Sequence, residues 1–477
     1  MKTSSSPAPR ETLGSRLGFI LLSAGCAIGI GNVWRFPWLA GQYGGAWFVL
    51  AYLLCLALLG LPVLTMEFAM GRAARRSPVL LYQALGRPGW RWHGAVSLLG
   101  NVLLMMYYTT VAGWMLSYFA FSAAGAFAGL DAASVGAKFS ATLASPALQV
   151  GPLVLVVAAG FAVCAVGLRG GLERVTKWLM LALLALMVLL AVHSILLPNT
   201  AETTLPDGTT ATVGALDGLR YFLVPDASAV AARGGWLVLL REAMNQAFFT
   251  LSLGIGSMAI FGSYVNRDRA LPGEALRVTL LDTLVALCAG LIVIPACFAF
   301  GVEPGAGPGL LFVTLPNVFG GMAAGRLWGS LFFVFMSFAA FSTVLAVFEN
   351  ILACVRDLTG WTRRRAAPVC AVALFLLSLP CALGWSLLAG FHPLGPDSGV
   401  LDLEDFLVSN LILPIGALAY AVFCCHRFAW GWDAFVAEAN TGRGLRLPAW
   451  MRPYCAYVLP LLILVVFLLG LWNAFVS

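Results

Sequence analysis

The residues of this sequence that could do chemistry cluster at two apolar runs broken by glycine. The first reads Gly25-Cys26-Ala27-Ile28-Gly29-Ile30-Gly31-Asn32 and the second Thr250-Leu251-Ser252-Leu253-Gly254-Ile255-Gly256, and each contains Gly-Ile-Gly. A helix unwound at such a point frees carbonyl oxygens in one direction and amide N–H groups in the other. The oxygens suit a hard cation and the amides suit an anion. Two further features point to ions. Asp282 is a carboxylate deep in an apolar run, which is costly unless it has a cationic partner or marks an ion path. Ser342 and Thr343 place two hydroxyls side by side in another such run. Plainer readings stand beside these: Asp282 follows Arg277 closely enough to reach an aqueous helix end, and span hydroxyls commonly bond back to the carbonyl one turn earlier. Tyr108, alone, reads equally as an interfacial anchor. His93, His193, His392 and His426 are isolated, with no zinc pair or catalytic constellation, so an enzyme is not expected.

Unwound backbone of this kind needs a scaffold that keeps it away from lipid. The chain has 477 residues, is 61% hydrophobic and only 10% charged, and its charges fall between long apolar runs. That pattern excludes an ordinary soluble domain and predicts an all-α integral membrane protein of about eleven transmembrane helices. The expected spans are 16–40, 45–70, 94–125, 151–168, 172–197, 236–265, 275–300, 325–356, 367–390, 404–426 and 453–475. Glycine breaks in the first helix of each of two five-helix halves are what an inverted repeat with discontinuous helices 1 and 6 shows. The implied organisation is a tail at 1–15, a first repeat at 16–197, a loop at 198–235, a second repeat at 236–427, and a loop with an appended helix at 428–477. The run Leu310-Leu311-Phe312-Val313 suggests a short capping or re-entrant helix.

Of the 28 basic residues, all but Arg35, Lys138, Arg220, Arg233, Arg241 and Arg326 lie on one side if the N-terminus is cytoplasmic, so the chain is expected to start inside. The net charge of +7 is this bias and calls for no nucleic-acid partner; the lipid bilayer is the partner it implies. The eleven cysteines lie almost entirely within apolar spans and are expected to be free. The polar stretch Met1 to Arg10 reads as a mobile cytoplasmic tail, no cleavable signal is expected before the first span, and the lack of a twelfth span fits a bacterial inner membrane.

Several stretches carry a specific likeness: Arg16-Leu17-Gly18, Gly29 through Pro37, Glu67 before Met70-Gly71-Arg72, Tyr107-Tyr108 with Trp114, and Phe248 to Gly256. Together they resemble the neurotransmitter:sodium symporter family, in its bacterial amino-acid branch, over nearly the whole chain. The resemblance implies sodium-coupled symport of an amino acid by alternating access, with two sodium ions and no organic cofactor. It implies one sodium among the carbonyl of Ala27, the side chains of Asn32, Thr250 and Asp282, and the substrate carboxylate. It implies a second among the carbonyls of Gly25, Ile28 and Ala339 and the hydroxyls of Ser342 and Thr343. At the position of Gly29 the monoamine branch has an Asp that pairs with the substrate amine. A Gly leaves room for the substrate's own carboxylate, against the amides of Ile30 and Gly31 and the hydroxyl of Tyr108. Leu104, Phe249, Ser252, Ile255 and Val347 are implied to line the side-chain pocket, with Ala27, Thr250 and Thr343 beside it. Such walls suit a neutral, mostly hydrophobic amino acid, and Ile255, which is Phe in some relatives, leaves space for a larger side chain.

The same resemblance implies that Arg35 and Asp405 close the outer path under a lid of Phe249 and Tyr108, and that Arg10 and Asp357 close the inner one with Tyr264 nearby. Three positions depart from the family pattern. Asp282 stands where many animal relatives carry Asn and bind chloride close by, so the fixed carboxylate predicts chloride-independent transport. Leu13 replaces the usual inner Trp. Leu181 stands where several bacterial relatives have a Pro that drives unwinding of helix 5, and the release route for the inner sodium stays open. Proton coupling through Asp282 or Glu67, and a sensor that uses the pocket without net transport, are the alternatives; the hydroxyl pair at Ser342 and Thr343 argues for sodium.

Overall fold

A computed structural model of the chain describes residues 11–198, 201–204, 210–301, 309–396 and 398–476. Among these residues nine helices are long and apolar enough to cross a bilayer. They are spans 2 to 5 (Ala46–Ala74, Pro88–Ala123, Pro146–Val166 and Leu168–Ile195) and spans 7 to 11 (Leu271–Ala299, Gly325–Thr359, Arg363–Ala382, Val400–Cys425 and Met451–Leu471). Span 1 is the pair Arg16–Ala27 and Ile30–Gln42, bent by 63° at the break. Span 6 is Gly235–Thr250 and Ser257–Gly262, joined by unwound chain in which Ser252, Gly254 and Gly256 have positive φ. The fold is thus the expected bundle of eleven spans with the first and sixth discontinuous.

Packing follows from how apolar each span is around its circumference. The most hydrophobic window is 72% buried in span 8 and 67% in span 7 but 28% in span 11, so spans 7 and 8 are core and span 11 is a lipid-facing appendage. A short helical unit, Leu310–Gly321, caps one end, as the apolar run there predicts. Span 9 stops at Ala382, short of the expected 390, because the chain turns inward and seats Trp385 against Trp114, ring centroids 5.3 Å apart. Five stretches widen to i→i+5 hydrogen bonding. Four of them, Leu56–Gly60, Leu310–Thr314, Leu407–Ile412 and Tyr454–Val458, immediately precede a Leu-Pro pair. A proline has no N–H and its ring crowds the carbonyl one turn back, and a wider turn relieves both faults.

All eleven cysteines are free, as expected. One long-range polar tie is not legible in any local pattern. Arg72, fully buried at the end of span 2, donates to Glu438 on the loop helix Trp432–Ala439 (Nε to Oε1, 2.6 Å) and to the Arg269 carbonyl (2.6 Å). Glu438 also pairs with Arg267 at 2.7 Å. This triad fastens the loop after span 10 to the loop after span 6. Removing one member of a buried pair strands the other charge, at roughly 3–5 kcal/mol. Glu438→Ala is therefore expected to lower the melting temperature and folded yield of the detergent-purified protein more than Asp433→Ala on the same helix; equal melting curves for the two variants would contradict the account.

Candidate functional site

The two breaks face each other at mid-bundle. In span 1 the helix ends at Ala27, Ile28 and Gly29 are extended, and the chain resumes as helix at Ile30. The freed amide of Gly29 donates to Asn32 Oδ1 (3.1 Å) and that of Ile30 to the Tyr108 hydroxyl (3.0 Å). Asn32 in turn donates to Asp282 Oδ1 (2.8 Å), which also receives the Thr250 hydroxyl (3.1 Å), while Tyr52 reaches Oδ2 at 3.4 Å. Asp282 is fully buried and turns inward, away from the end of its helix. The alternative in which it reaches an aqueous end is set aside by this geometry. Asn32, Thr250 and Tyr52, its donors, are all neutral.

A second oxygen cluster lies on the other side of the break. Thr343 Oγ1 is 3.2 Å from the Gly25 and Ile28 carbonyls and 3.5 Å from that of Ala339, and Ser342 Oγ is 2.9 Å from the same Ala339 oxygen. Three carbonyls meet two hydroxyls, which carry one hydrogen each, so acceptors outnumber donors. The back-bonding expected of span hydroxyls is thus present for Ser342, but Thr343 also bridges across to the broken helix. An acceptor surplus sealed from water is the chemistry of an oxygen-coordinated cation. Sodium fits these donors. No group of three or more His, Cys, Asp or Glu that could hold a metal occurs among the described residues.

Between these clusters is a small cavity of about 20 Å³ lined by Ala27, Gly29, Gly31, Asn32, Leu104, Tyr108, Phe249, Thr250, Ser252, Ile255 and Thr343. Of the residues named for the substrate, Ile30 lines the vestibule instead, and Val347 is packed in the core outside the cavity lining. The lining also includes Cys26, Val408 and Leu413, which sequence reading missed. The last two sit at the widened turn ahead of Pro414, and that Leu-Pro signal could have marked them. A Cβ at Gly29 would lie 2.5 Å from the Tyr108 hydroxyl and 3.0 Å from Thr343 Oγ1, so the site has no room for a side chain there.

Phe249 separates the cavity from a vestibule of about 640 Å³, which it shares with Trp34, Arg35, Trp38, Tyr107, Glu242 and Asp405. Arg35 stacks 5.5 Å from the Phe249 ring centre and approaches Glu242 at 3.8 Å. Asp405 accepts from Tyr107 (3.0 Å) and Ser409 (2.8 Å). The expected partners Arg35 and Asp405 thus face one vestibule but hold other groups, which is what an open path requires.

The other end is shut by residues 11–15. Leu13 is buried and its amide meets the Tyr264 carbonyl at 3.3 Å. Gly14 N and Ser15 Oγ donate to Glu173 at 2.7 and 2.9 Å, and Arg169 Nε donates to the Thr12 carbonyl at 2.8 Å. Glu11 pairs with Arg356 and Arg363, both at 3.2 Å, and Arg363 and Tyr264 converge on Glu349 Oε1 at 2.9 and 2.7 Å. Arg10 lies outside the described residues, while Asp357 accepts the Ser77 amide at 2.8 Å. Glu11, Glu173, Glu349 and Arg363 are the closing residues that the sequence reading missed, since no local pattern links them to partners 14 to 352 positions away.

The sequence profile of the sodium:neurotransmitter symporter family matches residues 10–131 and 138–475. The chain belongs to that family. An uncharacterized sodium-dependent transporter of Bacillus subtilis, YhdH, is 31% identical over 95% of this chain and 96% of its own length. An uncharacterized sodium-dependent transporter of Haemophilus influenzae is 29% identical over 97% and 98%. Among solved structures, MhsT in complex with L-phenylalanine superposes with a TM-score of 0.83 at 34% identity, covering 97% of this chain and all of that one. This protein is accordingly a sodium-dependent membrane transporter, and not an enzyme.

Burial alone would raise the Glu11 carboxyl, but the Arg363 guanidinium, the Leu168 amide and Arg356 together outweigh it and hold the group below its ordinary value. A carboxylate depressed in the folded state contributes above the unfolded pKa and loses that contribution as pH falls through the folded one. Closure at this end is therefore expected to be insensitive to pH across the neutral range. Glu11→Gln should loosen it at neutral pH, read as faster amide hydrogen exchange over residues 11–15; wild-type exchange there that rises steeply as pH falls from about 8 to 6 would contradict this.

Proposed function

We propose that this transporter carries neutral, mostly hydrophobic L-amino acids in symport with two sodium ions, by alternating access and without need of chloride. The observation that carries the reading is the junction at Gly29. Freed N–H groups, the Tyr108 hydroxyl and two oxygen clusters converge there on a cavity with no protein carboxylate to receive an amine and no space for one. A substrate must bring its own carboxylate, which the helix N-terminus at Ile30 and Tyr108 would bind, next to the cluster of Ala27, Asn32, Thr250 and Asp282. Apolar walls from Leu104, Ile255, Val408 and Leu413 would strand a charged side chain. The likeness to MhsT, crystallised with L-phenylalanine, supports the same class.

In this reading Gly25, Ile28, Ala339, Ser342 and Thr343 hold the second sodium. Arg35 and Asp405 draw together when the vestibule closes, and residues 11–15 with Tyr264 release when the other end opens. Arg10 and Asp357 form the inner pair of the same cycle. The basic residues concentrated at the end carrying residues 11–16 support a cytoplasmic N-terminus, in a bacterial inner membrane. The two repeats run over 16–197 and 236–427.

One observation favours a second reading. Asp282 is enclosed by neutral donors, so it needs a cation, and a proton would serve as well as sodium. Counterflow of labelled amino acids in proteoliposomes under sodium, potassium or proton gradients separates the two. Uptake of leucine or phenylalanine is expected to require sodium and to persist when gluconate replaces chloride. Uptake indifferent to sodium, or abolished in gluconate, would sink the proposal. Asp282→Asn removes the one formal charge of its cluster and is expected to raise the half-saturating sodium concentration about tenfold or more, equivalent to about 1.4 kcal/mol.

A further inference from the structure

Unwound backbone inside a bilayer must find its hydrogen bonds in the protein, and in span 6 it finds them in an unusual way. The Gly254 amide donates to Glu67 Oε1 at 2.6 Å. The Ile255 carbonyl accepts from Asn101 Nδ2 at 2.7 Å. Asn101 is fully buried on span 3, and its amide group is used completely. Its second N–H reaches the Ser97 carbonyl one turn back at 2.6 Å, and its oxygen receives the hydroxyl of Ser257, the first residue of the resumed helix, at 2.8 Å. One side chain thus grips both the last unwound residue before the glycine at 256 and the restart after it.

Span 3 also supplies Leu104 and Tyr108, which lie on the same helical face as Asn101. Tyr108 meets the amide of Ile30 at the end of the cavity where the carboxylate is proposed to bind, and Ile255 forms part of the lining elsewhere. The two contacts are tied to one rigid helix, about 10 Å apart along its axis. Gly100 completes the arrangement: a Cβ there would stand 2.8 Å from Ile255 Cγ2 and 2.7 Å from Ile412 Cγ2, so Ile255 packs into the space a side chain would fill. We propose that Asn101 is a positioning residue for substrate size: by holding the Ile255 carbonyl it fixes the depth of the side-chain pocket, measured along span 3 from Tyr108. This rests on the amino-acid reading given above.

The inference separates two substitutions by sign. Asn101→Ala frees the Ile255 carbonyl and lets the floor recede, whereas Gly100→Ala pushes Ile255 into the cavity. The test is competition of unlabelled alanine, leucine and tryptophan against labelled leucine, with full-length protein in proteoliposomes. Asn101→Ala is expected to improve tryptophan relative to leucine about tenfold, and Gly100→Ala to improve alanine relative to leucine by a similar factor, the span a methylene or two commands in an apolar pocket. Half-saturating sodium should stay near the wild-type value in both, and Ser257→Ala, which keeps the bond to Ile255, should keep the wild-type ratios. A merely structural role would lower uptake of all three amino acids together. If Asn101→Ala does not fold, the Gly100→Ala shift decides. Wild-type protein that discriminates among the three while the folded variants retain its ratios would overturn this inference alone; wild-type protein that takes up none of a full amino-acid panel would overturn the functional reading and this with it.

Discussion

The rest of this structure depends on one constraint: the backbone groups exposed where spans 1 and 6 come apart have no water to turn to. The protein itself meets these groups. The span 1 amides go to Asn32 and Tyr108, its carbonyls at Gly25 and Ile28 face Thr343, and in span 6 Glu67 and Asn101 take an amide and a carbonyl. The two breaks are also stapled to each other, since Ser252 reaches the Cys26 carbonyl at 3.4 Å and Thr250 shares Asp282 with Asn32. Such mutual satisfaction is worth more than any single bond, because losing one partner leaves a buried polar group exposed to an apolar medium. It also leaves surplus oxygen acceptors at two points, which is the donor set that an oxygen-coordinated cation requires.

Asymmetry at the two ends gives the conformation its direction. At the vestibule, charged groups are spread apart: Arg35 leans on Phe249 and Glu242 while Asp405 is held by Tyr107 and Ser409. At the other end the charges are gathered, with Glu11, Arg356, Arg363, Glu349 and Tyr264 in one connected set. The Glu11 pairs are partly exposed and contribute little singly, whereas Glu349 and Arg363 are buried and can stay paired, so releasing the tail at one end and closing the other can be nearly balanced. A transporter needs that balance, since a bound ion shifts an equilibrium only by its differential affinity for the two states.

What the sequence made legible was local. Glycine breaks, span lengths and the misplaced carboxylate at 282 can be read within a few residues, and the spans and the discontinuous helices follow from them, whereas most of the cavity lining was legible only through the resemblance to the symporter family. The widened turns were legible in principle, through Leu61-Pro62, Leu315-Pro316, Leu413-Pro414 and Leu459-Pro460, and Val408 and Leu413 follow from the third. Pairings such as Arg72 with Glu438 or Glu11 with Arg363 were not, because no periodicity links positions so far apart and a lone charge at a helix end reads as solvated. Val347, one turn beyond Thr343 on span 8, is fully buried and is not among the residues that line the cavity.

Leu181, the missing proline of span 5, takes on a different meaning beside the fifth widened turn. That turn, Leu168–Glu173, has no Leu-Pro behind it and contains Gly170 and Gly171 instead. Its hydrogen bonds close rings of the looser i→i+5 kind, and glycine adds conformational freedom, so span 5 begins in a loosely wound turn. The same turn holds the tail: Glu11 takes the Leu168 amide at 3.2 Å, Arg169 holds Thr12, and Glu173 holds Gly14 and Ser15. A few residues on, Thr176 and Met180 pack against Gly25, whose carbonyl faces Thr343. Tail, widened turn and the second oxygen cluster are therefore one connected network. Opening at this end has to break the contacts between the tail and the turn, and any coupling of that step to the oxygen cluster acts equally in both directions.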